Sequence, residues 1–300
     1  MQTMPTLVFG LLLAFGVASQ TGVLPLGVFT IPKWLGWSLA SIGGGLLLHE
    51  GLGRPVPFLR LSFLRMALGM KNLLTEGQVG DNREKAVVEY VEKMAPAGDV
   101  NAAINAIDTF AYKHKFLMNV GDKKGLLLDA VVDRVMPKHA IEVGAYIGYS
   151  ALRIAKRLPE GGHLFSVEFS ASNAALARRV LEHAGLTAKV TVITGTLGDG
   201  GETLATIKKK LIEAAFDLVF LDHDKDVYVP DLKCLLDSEL LHVGSVVVAD
   251  NVGFPGAPEY RKYMKEREGG MWKTIEHKTK VEYQSIIPDL VLESTLIRSP

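Results

Sequence analysis

Three hundred residues suffice for one large domain or two small ones, and a composition 48% hydrophobic and 22% charged can fill a sizeable core. Basic and acidic residues number 33 each, so the chain lacks the basic excess expected of a nucleic-acid binder. A single cysteine, Cys234, excludes an internal disulfide framework and a cysteine-based zinc site, and reads as a small buried hydrophobe.

No charged residue precedes Lys33. Two apolar runs, 7–18 and 34–48, are each shorter than the ~20 residues of a membrane span. Ala18 and Ser19 follow the first as small residues follow a signal-peptide core, although no basic residue stands in front. The second run extends back through 23–31, interrupted by Pro25, Pro32 and Lys33. The pattern predicts a hydrophobic membrane anchor over 1–50. Two topologies fit, a hairpin of short spans or a cleaved signal followed by one span, and a buried soluble hairpin is the alternative. Over 51–80, Arg54, Arg60, Arg65 and Lys71 alternate with Phe58, Leu59, Phe63, Leu64 and Met66. That stretch reads as a basic amphipathic linker at the membrane interface, favouring the cytosolic side, or as a solvated connection.

From residue 81 the sequence reads as a folded domain. Val87, Val88, Val91 and Met94 repeat at helical spacing. Asp99 is placed to cap a second helix carrying Ile104, Ile107 and Phe110. Asp122 is placed to cap a third, with Leu127, Ala130, Val131 and Val135. Strands are then predicted over 140–143, 163–168, 190–193, 218–221 and 245–249, with helices between them, including 174–183 closed by Gly185. Such alternation implies a doubly wound, mostly parallel Rossmann-like sheet covered by helices on both faces. Two last strands, 272–277 and 290–296, leave no room for a crossover helix, so they pair antiparallel.

In an open α/β sheet, ligands bind at the carboxyl ends of the strands. After the first strand comes Glu142-Val143-Gly144-Ala145-Tyr146-Ile147-Gly148-Tyr149-Ser150. Gly144 and Gly148 permit a tight turn and close approach to a ligand. The spacing is not the phosphate-binding G-x-G-x-x-G, so a nucleoside other than a dinucleotide is favoured, a plain tight turn being the alternative. The second strand ends in Glu168, an acid placed for a ribose diol or standing as a surface carboxylate. The fourth ends in Phe220-Leu221-Asp222-His223-Asp224-Lys225-Asp226 and the fifth in Val248-Ala249-Asp250-Asn251. Asp222, Asp250 and Asn251 form a hard-oxygen set suited to Mg²⁺, although a phosphate ligand could use the same positions and isolated strand-end aspartates often cap helices. Lys225 is either a general base beside a metal or a solvated lysine.

Taken together these residues resemble catechol O-methyltransferases over roughly 81–297. The likeness rests on Met118-Asn119-Val120-Gly121-Asp122-Lys123-Lys124-Gly125, the Glu142–Ser150 segment, Phe220-Leu221-Asp222-His223, Lys225-Asp226, Ala249-Asp250-Asn251-Val252 and Pro255-Gly256. The membrane-bound form of that family also carries an N-terminal anchor, which implies attachment at the endoplasmic reticulum or plasma membrane with the catalytic domain facing the cytosol. The resemblance implies transfer of a methyl group from S-adenosylmethionine to a phenolic small molecule. Asp222, Asp250 and Asn251 would hold Mg²⁺. Lys225 would deprotonate one catechol hydroxyl and Glu282, in Val281-Glu282-Tyr283, would hydrogen-bond the other. Glu168 would take the ribose. Val120, Gly144, Tyr146, Ser150, Phe169, Asp222 and His223 would line the donor pocket, with Met118 near the sulfonium and Glu142 at the methionine end. Phe116, Asp224 and Pro255 would wall the acceptor ring beside Lys225, Asn251 and Glu282. Four positions depart from the family: Phe116 and Asp224 stand where it has aromatic walls, the first usually tryptophan, and Leu197-Gly198 where it has a Ser-Gln pair contacting adenine. The competing reading is a non-enzymatic membrane scaffold, which need not retain Lys225, Glu282 and the full metal trio.

Overall fold

The chain divides into two compact units, Met1–Ala67 and Leu68–Pro300. The computed structural model describes residue 72 and residues 75–211 and 214–299. The anchor predicted over 1–50, and most of the linker predicted over 51–80, lie outside the described residues.

Three helices precede the sheet: α1 (Arg83–Met94), α2 (Val100–Lys113) and α3 (Gly121–Val135). Helix α1 buries Val87, Val88 and Val91 of the stripe that its sequence repeat predicts, while Met94, in its last turn, is exposed. Asp99 caps α2 by accepting the Ala102 N–H at 2.9 Å, a contact worth about 1 kcal/mol. Helix α3 begins two residues earlier than a cap at Asp122 predicts. Val120 takes the cap position, and Asp122 falls in the first turn, where it accepts the Tyr112 hydroxyl.

The alternating part follows as β1 (His139–Val143), α4 (Tyr149–Arg157), β2 (His163–Glu168), α5 (Ala171–His183), β3 (Val190–Thr194), α6 (Glu202–Leu211), β4 (Phe216–Leu221), α7 (Tyr228–Asp237), β5 (Leu241–Ala249), α8 (Pro258–Glu266), β6 (Trp272–Lys280) and β7 (Pro288–Leu296). The strands form one sheet in the order β3-β2-β1-β4-β5-β7-β6. Strands β1 to β5 are parallel, and β7 inserts antiparallel between β5 and β6. The sheet is therefore the expected Rossmann-like one, with β7 as its antiparallel strand.

Side chains on each strand alternate between two cores, as a period of two requires. Ala140, Leu164 and Leu218 face α1 to α5, while Ile141, Phe165 and Val219 face α6, α7 and α8. The strand order reverses between β1 and β4, which opens a crevice at their carboxyl ends. Among the described residues no helix is long and apolar enough to cross a membrane.

A buried ion pair locks α3 to α4 beside that crevice. Arg153 donates to both oxygens of Asp129, at 3.1 and 2.6 Å, and both side chains are nearly inaccessible. Gly125 makes the approach possible, since a Cβ there would sit 2.6 Å from the guanidinium. Asp129→Ala leaves the guanidinium buried without its carboxylate and should destabilise the fold by about 3–5 kcal/mol. Urea unfolding followed by circular dichroism measures this; a loss below about 1 kcal/mol contradicts the assignment of this pair as the α3–α4 lock.

Candidate active site

The carboxyl edge of the sheet gathers the acidic residues. The β1–α4 loop comes first. Gly144 has φ of 101°, and a Cβ there would lie 2.3 Å from the Asp222 carbonyl, so this glycine lets the loops after β1 and β4 touch. Tyr146 follows with φ of 48°, a left-handed conformation uncommon for a bulky residue. Its amide donates to Glu168 Oε2 at 2.8 Å, and its hydroxyl donates to Glu84 at the start of α1. Glu168, at the end of β2, also accepts the Ser170 amide. Burial raises the Glu168 carboxyl above its ordinary value despite these bonds.

Glu142 is fully buried. Its Oε1 accepts the Ser166 hydroxyl at 2.5 Å, and Ser150 in the first turn of α4 also bonds the carboxyl. Its Oε2 has no protein partner. Burial pushes the Glu142 carboxyl up to about 7, with Asp222 and Glu168 adding repulsion.

Asp222 and Asp250 follow paired residues of adjacent strands, Leu221 and Ala249. Tyr228, the first residue of α7, ties these ends together: its hydroxyl lies 2.9 Å from the Leu221 carbonyl and 3.0 Å from that of Asp250. Lys225 Nζ donates to this hydroxyl at 2.7 Å and to Asp222 Oδ1 at 3.2 Å. His223 is held by Asp231 through Nε2 at 2.9 Å, and its buried Nδ1 has no protein partner.

A residue without a part in the sequence-based assignment sits at the centre. Lys124 of α3 is almost fully buried and places its ammonium 2.8 Å from Asp250, 3.1 Å from Glu282 and 3.0 Å from Asp289. Burial opposes its charge, but Asp250, Glu282, Asp289 and Asp222 hold its pKa well above the ordinary value. Asp250 is pushed up to about 7 by burial, which outweighs the neighbouring ammonium. The sequence signal for Lys124 is its slot: on α3 it shares the buried face with Gly121, Gly125, Leu128, Val131 and Val132. A lysine at an apolar position of a helical stripe requires a buried partner.

Lys124 thus joins Asp250 and Glu282, and Lys225 joins Asp222 to the β5 end. Asn251 has φ of 54° and donates its side-chain nitrogen to Asp289. The remaining predicted residues fall on loops and turns between the helices and strands. Met118 and Val120 lead into α3, and Phe116 is buried with its carbonyl accepting Arg83. Phe169 is exposed just after β2. In the β3–α6 loop, Gly198 is exposed whereas the Leu197 side chain packs into the core under α6 and α7. Asp224 is exposed and spends one oxygen capping the short turn Lys225–Val227. Pro255 is exposed in the turn Val252–Gly256.

The donor set fits a divalent cation. Four carboxylates (Asp222, Asp250, Glu282 and Asp289) face two ammonium groups, Lys124 and Lys225, which leaves a formal surplus of two negative charges. Asp250 Oδ2 is buried with no protein partner, a hard oxygen that a cation would satisfy. Among the described residues no group of three or more His, Cys, Asp or Glu is arranged to hold a metal, so a cation here would also need the Asn251 amide oxygen.

A Rossmann-like sheet with a glycine turn after β1, an acid after β2 and this carboxylate set after β4 and β5 defines the nucleoside-dependent methyltransferase class. The profile of the O-methyltransferase family matches residues 97–286. A probable O-methyltransferase of Mycobacterium tuberculosis is 53% identical over 230 residues, spanning 76% of this chain and 98% of that relative. Mouse catechol O-methyltransferase is 34% identical over 273 residues, spanning 91% of this chain and 93% of its own. An O-methyltransferase of Streptomyces achromogenes involved in tomaymycin synthesis shares the fold, with TM-score 0.54 and 22% identity over 73% of this chain and 99% of its own. The chain belongs to the O-methyltransferase family, and it is an S-adenosylmethionine-dependent enzyme of the type that includes catechol O-methyltransferase.

One expectation is corrected here. Placement at the endoplasmic reticulum or plasma membrane with a cytosol-facing domain is not upheld. The 53% identical relative is bacterial, and no described helix can cross a membrane.

The buried Glu142 gives the site a pH signature. Its folded pKa of about 7 lies above the unfolded value. The folded state therefore gains from the proton: the contribution is full below about pH 4.5 and is lost as pH rises through 7. Glu142→Gln removes the titration. Its stability relative to wild type should rise by roughly 3 kcal/mol between pH 5 and 8. Denaturant unfolding at both pH values checks this, and a pH-independent difference would overturn it.

Proposed function

We propose that this O-methyltransferase moves the sulfonium methyl of S-adenosylmethionine to one hydroxyl of a catechol or a similar vicinal-diol phenol, with Mg²⁺ held by Asp222, Asp250 and Asn251. The observation that carries the reading is the joining, at one strand edge, of Asp222 to Lys225 and of Asp250 through Lys124 to Glu282. The likeness to mouse catechol O-methyltransferase over most of the chain supports it. We assign the activity to the segment from residue 81 onward.

When bound, the cation would polarise the two substrate oxygens and lower the pKa of one. Lys225 accepts the proton from that oxygen as a neutral amine, having first given up its own proton to solvent. Glu282 accepts a hydrogen bond from the other hydroxyl, which selects two adjacent oxygens over one. The deprotonated oxygen attacks the methyl carbon in line as the carbon–sulfur bond breaks, and S-adenosylhomocysteine departs. On the donor side Glu168 takes the ribose hydroxyls, and Glu142 and Ser150 face the methionine end. Holding both reactants at attack distance supplies effective molarities of about 10⁵ M or more. Phe116, Asp224 and Pro255 flank the acceptor. The exposed carboxylate of Asp224 makes one flank polar and favours acceptors with a polar or basic substituent.

Single-turnover methyl transfer to a panel of phenols, with and without Mg²⁺, tests the reading. Vicinal diols should react, monophenols should not, and omission of the metal should abolish turnover. Lys225→Ala should lower the rate by about 10²–10⁴-fold, with affinity for S-adenosylhomocysteine little changed. Lys225→Arg should not rescue, because arginine keeps its proton. Near-wild-type turnover by the arginine variant rules out the proton-acceptor role.

A further inference from the structure

We propose that Asp289 and Lys124 are positioning residues for the metal-ligand set: Asp289 fixes which end of the Asn251 amide faces Asp250, and Lys124 holds Asp289, Asp250 and Glu282 at fixed separations. This inference rests on the Mg²⁺ reading above and adds two residues to it.

An asparagine side chain has two ends of opposite character, a carbonyl oxygen that accepts and an NH₂ that donates. Only the oxygen can serve a cation. Asn251 lies 3.0 Å from Asp289 Oδ2 through its amide. A carboxylate only accepts, so the end facing Asp289 is the nitrogen, and Asn251 Oδ1 is turned away from Asp289. The Asn251 backbone is fixed as well, since its amide donates to Asp250 Oδ1 at 2.7 Å.

Asp289 has no freedom to release this amide. It is fully buried. Its Oδ1 accepts the backbone amides of Phe254 at 2.9 Å and Leu290 at 2.7 Å. Its Oδ2 accepts Asn251 and, at 3.0 Å, Lys124. A carboxylate offers about four acceptor positions, and all are taken. Lys124 is saturated in the same sense. Its three N–H donors meet three carboxylates, those of Asp250, Glu282 and Asp289. The Phe254 bond extends the network to the turn that carries Pro255. Two buried side chains thereby set the metal amide, a metal carboxylate, the diol acceptor and one wall of the acceptor site.

Asp289→Asn keeps the shape and reverses part of the polarity. The new NH₂ must face either two backbone donors or the donors of Lys124 and Asn251, so the Asn251 amide loses its orienting acceptor. The test is Mn²⁺ affinity of the full-length chain, read from the free-ion paramagnetic resonance signal. Calorimetric binding of S-adenosylhomocysteine reports that each variant is folded. Wild type should bind Mn²⁺, and Asp289→Asn should weaken binding by about 10–100-fold with S-adenosylhomocysteine affinity within about twofold. If Asp289→Asn does not fold, Asp289→Ser, with room for water to take up the released donors, carries the same expectation. Lys124→Gln should also weaken Mn²⁺ binding. Tighter binding by Lys124→Gln would show that the ammonium competes for Asp250, and overturns its positioning role. Unchanged affinity in a folded Asp289 variant overturns the inference and leaves the Mg²⁺ reading standing. Absence of Mn²⁺ binding by wild type overturns both.

Discussion

A single ammonium group, that of Lys124, sits among three carboxylates where almost no water reaches. Removing one charge from water costs several kcal/mol, and three carboxylates without a cation would repel one another. The arrangement holds because Lys124 comes from α3, Asp250 from the end of β5, Glu282 from the β6–β7 loop and Asp289 from β7. Those elements must all dock before Lys124 meets its three carboxylates together. The chemistry and the tertiary fold are therefore one problem: the sheet edge is in place only when α3 is in place. Around this centre, the Asp129–Arg153 pair fixes α3 against α4, and Gly121 lets α3 approach the Glu282 loop, where a Cβ would sit 2.7 Å from the Glu282 side chain.

The sheet was legible in the sequence because its physics is local. Strands buried on both faces read as largely apolar runs; 218–221 is wholly apolar, while 140–143 and 163–168 carry the polar residues Glu142, His163, Ser166 and Glu168. Strand direction was legible from connection length, since a long helical connection allows parallel strands and the short one before the last strand requires an antiparallel pair. The position of β7 was not legible. Its insertion between β5 and β6 depends on contacts of Val246 to Ala249 with Leu292 to Thr295, residues far apart in the chain. The start of α3 was also displaced. Asp122 has the chemistry of a cap, but Gly121, with φ of 71°, begins the helix before it.

At the site, residues at strand ends were found because a strand end is a definable place in a sequence. Glu168, Asp222 and Asp250 each close an apolar run. Lys124, Asp289 and Tyr228 were missed because their roles arise only on docking. Each looks ordinary in its own segment: a lysine in a basic helix start, an aspartate before a strand, a tyrosine after a turn. The lysine alone carried a signal, its slot on the apolar stripe of α3. The apolar runs 7–18 and 34–48 pointed toward a membrane through composition alone, and the bacterial relative overturned the placement drawn from it.

The two halves of the site are fixed by different means, and the difference bears on how substrate choice can vary. The donor half rests on backbone. Glu168 accepts the amides of Tyr146 and Ser170, and Gly144 lies against the Asp222 carbonyl. Neither Leu197 nor Gly198 takes part in these bonds, so on the proposed reading substitution there leaves the ribose end of the cradle as it is. The acceptor half rests on buried side-chain charges, which tolerate little change. Its outer wall is another matter. Asp224 is exposed, and its bond to the Asp226 amide is local to one turn, without a direct link to Lys124 or Asp289. Replacing an aromatic wall by aspartate therefore alters what the acceptor meets and leaves the carboxylates as they were. Under the proposed function, a polar wall over an intact charge cluster changes the acceptor range at constant chemistry.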